Sequence, residues 1–211
     1  MITKLSSQQR DFNTQLSSLL SWESVSNQDV LNTVEEIINT IRSKGDKALI
    51  DYSIKFDGVK AKSMADLMIS QEELEKSFND LSDKQKNAIT IAAERVKAYH
   101  LKQNQQTWSY TEEDGTMLGQ KITPLDRVGL YVPGGKASYP SSVLMNAIPA
   151  KVAGVEELIM VVPTPNGKTN QLVLAAAYIS GVDIVITVGG AQAIAALAYG
   201  TESVPKVDKI V

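Results

Sequence analysis

The sequence contains no cysteine, a single histidine and few aromatic residues, with two Trp, seven Tyr and three Phe among 211 residues. Without cysteine the chain forms no disulfide, which favours a cytoplasmic protein. A catalytic zinc site needs several ligands from His, Cys and carboxylates, so a complete zinc site is not expected within these residues. A Ser-His-Asp arrangement could be built only around His100.

An excess of positive charge and a long hydrophobic run are also missing. The formal net charge is −3, which provides no general attraction to nucleic acid or to an anionic membrane. The apolar runs are shorter than a membrane span, and the polar start of the chain is not a secretory signal. With 43% hydrophobic and 21% charged residues, the composition is that of a folded globular protein.

The charged residues are unevenly distributed along the chain. Residues 1–126 carry 15 of the 21 basic and 19 of the 24 acidic side chains, although they make up little more than half of the length. We therefore predict a solvated helical region over residues 1–126 and a more buried region over 127–211, with a boundary near Asp126.

Apolar spacing in the first region predicts a series of helices. One covers residues 7–20. A second begins after Asn27 and ends at Gly45, after which Asp46 is expected to cap a short helix.

Two further helix starts are predicted. Ser70 and Glu73 match a capping box, and Ser82 or Asp83 begins a long helix. The apolar stripe predicted for that long helix consists of Ala88, Ile91, Ala92, Val96 and Tyr99. Asp114-Gly115 between two alternating segments predicts a β-hairpin with positive φ at both turn positions.

The second region alternates short apolar runs with helical segments. Strands are predicted at 128–132, 157–162, 184–188 and 207–211, and helices at 141–153, 169–180 and 191–199. Fully apolar strands separated by helices indicate a parallel sheet covered on both faces, which is an α/β doubly wound architecture. Because the last strand runs to the end of the chain, we expect a fragment of a longer protein; the alternative is a native edge strand.

Ligands of doubly wound sheets bind beyond the carboxyl ends of the strands. Two of these ends carry double glycines, which allow close backbone approach and present helix N–H groups to phosphate. Neither matches G-x-G-x-x-G, and no acidic residue ends the second strand, so taken alone these glycines favour an ordinary βα turn over a ligand site.

Several side chains near these ends are candidates, each with two interpretations. Tyr131 either stacks on a flat ligand or packs in the core, and Gln192 binds either ligand or backbone. Lys136 and Lys168 either meet phosphate or face solvent. His100, far away in sequence, is expected to be a surface or internally satisfied residue.

The motifs of this sequence closely resemble those of the histidinol dehydrogenases. They include Arg127-Val128-Gly129-Leu130-Tyr131-Val132-Pro133-Gly134-Gly135 and Val188-Gly189-Gly190-Ala191-Gln192-Ala193-Ile194-Ala195-Ala196-Leu197-Ala198-Tyr199-Gly200-Thr201-Glu202-Ser203. In the helical region, Gly45-Asp46-Lys47-Ala48-Leu49 and Phe56-Asp57 also fit. The resemblance covers essentially the whole chain, which would form about the first half of a family member.

The resemblance implies a zinc enzyme that oxidises L-histidinol through L-histidinal to L-histidine with two molecules of NAD, at the end of histidine biosynthesis. It implies an intertwined homodimer of paired, incomplete Rossmann-like domains, similar to those of aldehyde dehydrogenases. Residues 127–211 would form the NAD-binding lobe, truncated at its end, and no interaction with nucleic acid or membrane is expected.

By motif, Tyr131 and Gln192 match family positions that contact NAD. A further contact, an asparagine in a Gly-Pro-Gly-Asn segment, is expected directly after Val211. The zinc ligands and a Glu-His acid–base pair are also expected downstream, so no catalytic or metal residue is predicted within the chain. Two alternatives remain open: a non-catalytic nucleotide or small-molecule binding module, and an aldehyde dehydrogenase with a downstream cysteine.

Overall fold

A computed structural model describes residues 4–20, 27–134 and 139–211. Its helical region contains α1 (Phe12–Leu20), α2 (Asn27–Asp57), α3 (Gln71–Asn79) and α4 (Asp83–Leu101). The predicted start of the first helix at residue 7 is wrong, because residues 6–12 form short hydrogen-bonded turns before α1. No residue of α1 is buried.

Helix α2 consists of two helical segments that meet at Gly45, as the sequence predicts. Gly45 has φ 53° and ψ −132°, a backbone conformation that glycine tolerates without strain. The expected cap is different, however, because the Asp46 carboxylate accepts hydrogen bonds from Thr201 and Ser203. The Asp46 N–H donates to Glu202 Oε2 at 2.8 Å, so a loop 156 residues away caps the second segment.

Capping boxes begin both α3 and α4, at Ser70 with Glu73 and at Ser82 with Gln85. The predicted apolar stripe of α4 is confirmed at Ala92 and Val96 and wrong at its other three members. Its buried residues are Ile89 and Ala93, flanked by partly buried Ala92 and Val96, whereas three members of the prediction are exposed: Ala88, Ile91 and Tyr99. Apolar residues occur on adjacent faces of this helix, and packing against the later helix Pro140–Val152 decides which face is buried.

A hairpin of β2 (Trp108–Thr111) and β3 (Met117–Gln120) confirms the predicted motif. Its turn differs from the prediction, since only Gly115 has a positive φ, of 88°, and Asp114 does not. The Glu112 N–H donates to the Thr116 carbonyl, and the Asp114 carboxylate accepts from the Thr116 N–H. The loop is therefore longer than the two-residue turn that Asp-Gly suggested.

The second region forms the parallel sheet that the sequence predicts. In chain order its elements are β4 (Arg127–Tyr131), α5 (Pro140–Val152), β5 (Glu157–Val161), α6 (Gln171–Ser180), β6 (Ile184–Ile186), α7 (Gly190–Tyr199) and β7 (Lys209–Ile210). The sheet order is β1-β6-β5-β4-β7, and all pairs are parallel except β1 (Met68–Ile69) against β6. Two residues are too few for an alternation pattern, so sequence analysis missed β1.

Side chains of each strand alternate between two helical layers. Leu158 and Met160 of β5 point to the layer that holds α3, α4, α5 and α6, which we call the α5–α6 face. Ile159 and Val161 point to the layer that holds α2 and α7, the α7 face. The chain thus winds along one face, then crosses by α7 to place β7 beside β4, as in doubly wound folds.

Elements from both predicted regions share these layers. Helix α2 packs on α7, α3 on α6 and α4 on α5, while β1 extends the sheet. Packing therefore crosses residue 126 on both faces, and the division into domains 1–126 and 127–211 stays a prediction. Across the described ranges, no helix combines the length and the apolar content needed to cross a membrane.

Candidate functional site

The loops that follow β4, β5 and β6 meet tightly around Pro163. A Cβ atom on Gly134 would overlap the Pro163 carbonyl oxygen, and one on Gly189 would overlap the Pro163 ring. Both positions therefore require glycine because of this close approach. Gly135 lies outside the described residues, so the double glycine after β4 is only partly described.

Gly190 begins α7 with φ 67°, and its N–H donates to the Tyr131 hydroxyl oxygen at 3.1 Å. The Tyr131 side chain is partly buried against the α7 face. Its backbone N–H donates to the Val211 carbonyl at 2.8 Å, which ties the ends of β4 and β7 together. Tyr131 thus packs on the core, with its hydroxyl at the carboxyl edge of the sheet, and stacking of its ring on a ligand stays a prediction.

Gln192 lies in the first turn of α7 and is only 2% exposed. Its amide lies over Gly190, where an added Cβ would come within 2.8 Å of Gln192 Oε1. In the described part of the chain, its amide forms no hydrogen bond, although buried amides usually do. Tyr131 and Gln192 therefore both adjoin Gly190, and their contact with a ligand stays a prediction.

Of the two candidate lysines, only Lys168 lies within the described residues. Lys168 is exposed and lines a cleft of about 540 Å³ between the end of β5 and the start of α6. Lys136 lies outside the described residues. The structure therefore places Lys168 at the carboxyl edge of the sheet, and phosphate binding by Lys168 stays a prediction.

His100 is internally satisfied, as expected. It occupies the last turn of α4, where Nδ1 is 2.6 Å from Gln103 Oε1 and the ring packs edge-on against Tyr99. Among the residues that the structure describes, no group of three or more His, Asp or Glu side chains is arranged to hold a metal ion. His100 is thus not part of a zinc-type cluster there.

Asp57, at the end of α2, belongs to the family match in the sequence but is not predicted there as a site residue. Its Oδ2 atom is enclosed and has no hydrogen-bond partner, and desolvation raises the pKa of this carboxyl above its ordinary value. The end of α2 contacts the short turn Pro165–Gly167 that follows β5. An Asp-Gly pair at a helix end predicts only a helix stop, so no sequence signal indicates that the residue lies near the sheet edge.

Comparison with known proteins identifies the family. A family model described as histidinol dehydrogenase matches residues 20–211. Histidinol dehydrogenases from Pseudomonas savastanoi pv. phaseolicola and Pseudomonas aeruginosa are 63% and 61% identical over 210 residues, which is 100% of this chain and 47% and 48% of theirs.

A solved structure supports the same relationship. The crystal structure of histidinol dehydrogenase from Elizabethkingia anophelis matches with a TM-score of 0.80 and 31% identity, over 91% of this chain and 45% of that one. The chain thus spans about half the length of the relatives it matches. On this evidence, the chain belongs to the histidinol dehydrogenase family.

Proposed function

We propose that this chain is the N-terminal half of a histidinol dehydrogenase, which oxidises L-histidinol through L-histidinal to L-histidine. The family match over residues 20–211 and the relatives that carry this name support the proposal. Within that reaction, the described residues would provide the NAD-binding lobe and the helices that cover it.

Tyr131 and Gln192 are the residues that would hold NAD, which accepts hydride when bound. The observation that carries this assignment is the Gln192 amide, buried at the start of α7 without a hydrogen-bond partner in the described chain. Because neither atom of this amide is fully enclosed, a ligand can reach the group and supply the missing hydrogen bonds. Tyr131 would orient the ligand beside it, because its hydroxyl is held by the Gly190 N–H.

Zinc does not fit the described residues, which lack a cluster of metal-binding side chains. We propose that the zinc ligands and the acid–base residues belong to the additional length that the relatives have. We also propose a cytoplasmic homodimer that interacts with neither nucleic acid nor membrane.

The decisive experiment measures NADH formation by the full-length protein with L-histidinol as substrate. Gln192→Ala and Tyr131→Phe should each raise the KM for NAD, because losing one such contact costs about 1–3 kcal/mol, or roughly 5- to 150-fold. Gln105→Ala, an exposed residue in the loop after α4, is the control and should leave the KM unchanged.

Two results would contradict these proposals separately. Absence of histidinol-dependent NADH formation by the full-length protein would favour the non-catalytic binding module. Normal turnover with unchanged NAD kinetics in both variants would instead show that Tyr131 and Gln192 are structural.

A further inference from the structure

The cleft that Lys168 lines opens at the carboxyl edge of the sheet, on the α5–α6 face. It has a volume of about 540 Å³ and lies between the loops that end β4 and β5 and the N-terminus of α6. Pro163 lies between this cleft and Gly189, the residue before α7. The first turn of α7 contains Gln192, and its Gly190 N–H donates to the Tyr131 hydroxyl. The two sites thus flank the same proline from opposite faces of the sheet.

The charge of this cleft is positive. Among the described residues that line it, Lys168 is the one charged side chain, and no Asp or Glu is present. Thr164, Thr169 and Asn170 add polar groups, while three prolines provide apolar walls: Pro133, Pro163 and Pro165. This combination suits an anion that carries an organic group.

The start of α6 adds hydrogen-bond donors. Asn170 caps the helix, and its Oδ1 atom accepts from the Val173 N–H at 3.2 Å. The preceding N–H groups, of Gln171 and Leu172, have no acceptor within the helix. Because α6 is ten residues long, its dipole also favours a negative charge at this end.

Thr164 provides independent evidence for a ligand. The residue is only 3% exposed, and in the described chain its hydroxyl has no hydrogen-bond partner. The hydroxyl is not sealed off either, since Asp57 Oδ2 is the one enclosed, unpartnered side-chain atom among the described residues. A buried hydroxyl normally finds a partner, and the cleft that Thr164 lines is where a ligand could supply it.

We propose that this cleft binds a phosphate group, held by the Lys168 ammonium, the Thr164 hydroxyl and the free N–H groups of α6. A phosphate accepts all three kinds of donor, and charge-assisted bonds of this type are among the strongest in proteins. The phosphate belongs either to NAD itself or to a separate phosphorylated small molecule. Only the first of these two sources rests on the proposed function.

The test is calorimetric titration of the full-length protein with inorganic phosphate, AMP and NAD. Lys168→Ala and Thr164→Val should each weaken AMP and phosphate binding by about tenfold or more. Lys102→Ala, which removes an exposed lysine at the end of α4, is the control and should bind as the parent does.

Thr164→Val has a second readout that keeps the test independent of folding. Valine has the same shape without the unpartnered hydroxyl, so the variant should melt at an equal or higher temperature in phosphate-free buffer while binding AMP more weakly. Parent-like binding of AMP, phosphate and NAD in both variants would overturn the proposal.

A competition experiment distinguishes the two sources of the phosphate. If NAD displaces AMP, the cleft holds a phosphate of the dinucleotide; if both bind together, it holds a separate ligand. Failure of AMP and phosphate to bind, with unchanged NAD affinity in the variants, would refute the cleft alone. Histidinol-dependent NADH formation is measured separately, so failure of the proposed function remains distinguishable.

Discussion

The central sheet and the β2–β3 hairpin are both rich in apolar residues, yet they occupy opposite environments. Leu158 and Met160 of β5 are fully buried, because helices cover both faces of the sheet. In the hairpin, every residue of both strands is exposed, including Trp108 and Tyr110, whose rings stack on each other. Apolar content alone therefore does not determine burial; the layers that pack on a strand do.

The largest expected difference between these regions concerns large-to-small substitutions. Leu130→Ala in β4, at 0% exposure, should lower the free energy of unfolding by about 2–5 kcal/mol, because it leaves a cavity in a closed core. Leu118→Ala in the hairpin, at 42% exposure, should change it by less than about 0.5 kcal/mol. Urea unfolding measures both, and equal losses would mean that the hairpin is packed in solution.

Replacing one glycine in each region should have an effect of intermediate size on the free energy of unfolding. Gly189→Ala should cost about 1–3 kcal/mol, because its Cβ would overlap the Pro163 ring in a closely packed region. Gly115→Ala, in the hairpin turn, has no atom within 4 Å of the added Cβ and should cost about 1 kcal/mol for its positive φ alone.

A double-mutant cycle with Pro163→Gly separates these two causes. If overlap with the proline ring is responsible, the cost of Gly189→Ala should shrink in the Pro163→Gly background. The cost of Gly115→Ala should be the same in both backgrounds. A cost of Gly189→Ala that is independent of Pro163 would contradict the close approach of the strand ends.

The smallest expected effect concerns Asp57, which lies where α2 meets the sheet edge. Burial raises the pKa of Asp57 in the folded state. The charged carboxylate therefore destabilises the fold at pH values above that pKa. This destabilisation vanishes as the pH falls below the pKa of the unfolded chain, near 3.8. Asp57→Asn should therefore stabilise the protein at neutral pH, by less than about 1 kcal/mol because the group is partly exposed, and not below pH 3.8.

Unfolding at several pH values checks this sign. Asp51→Asn, an exposed carboxylate on the same helix, is the control and should leave the unfolding free energy nearly unchanged. A gain for Asp57→Asn that grew as pH fell would disprove the proposed role of desolvation.

Much of the fold follows from local patterns. Continuous apolar runs such as residues 157–162 predict buried parallel strands, and the capping boxes at Ser70 and Ser82 predict helix starts, because both depend on neighbouring residues. Periodicity was only partly right for α4, where apolar residues lie on two adjacent faces and only packing against α5 selects Ile89 and Ala93.

Some features of the candidate site can likewise be read from the sequence, and others cannot. Its strand-end glycines and the motif positions of Tyr131 and Gln192 are visible in the sequence, and they suffice to indicate the family. The sequence does not show the bond between the Gly190 N–H and Tyr131. Nor does it show that Gln192 and Thr164 lack hydrogen-bond partners among the described residues.

By itself, the sequence determined the alternation of strands and helices, the glycines at the strand ends and the absence of cysteine and of histidines other than His100. Only the tertiary structure decided that Pro163 lies between Gly189 and the cleft lined by Lys168, and that Glu202 caps a helix at Asp46. The physical reason is the distance along the sequence over which each interaction acts. Backbone propensity and amphipathic spacing act over a few residues, whereas the burial and pairing of a polar group depend on segments that meet only when the sheet is wound.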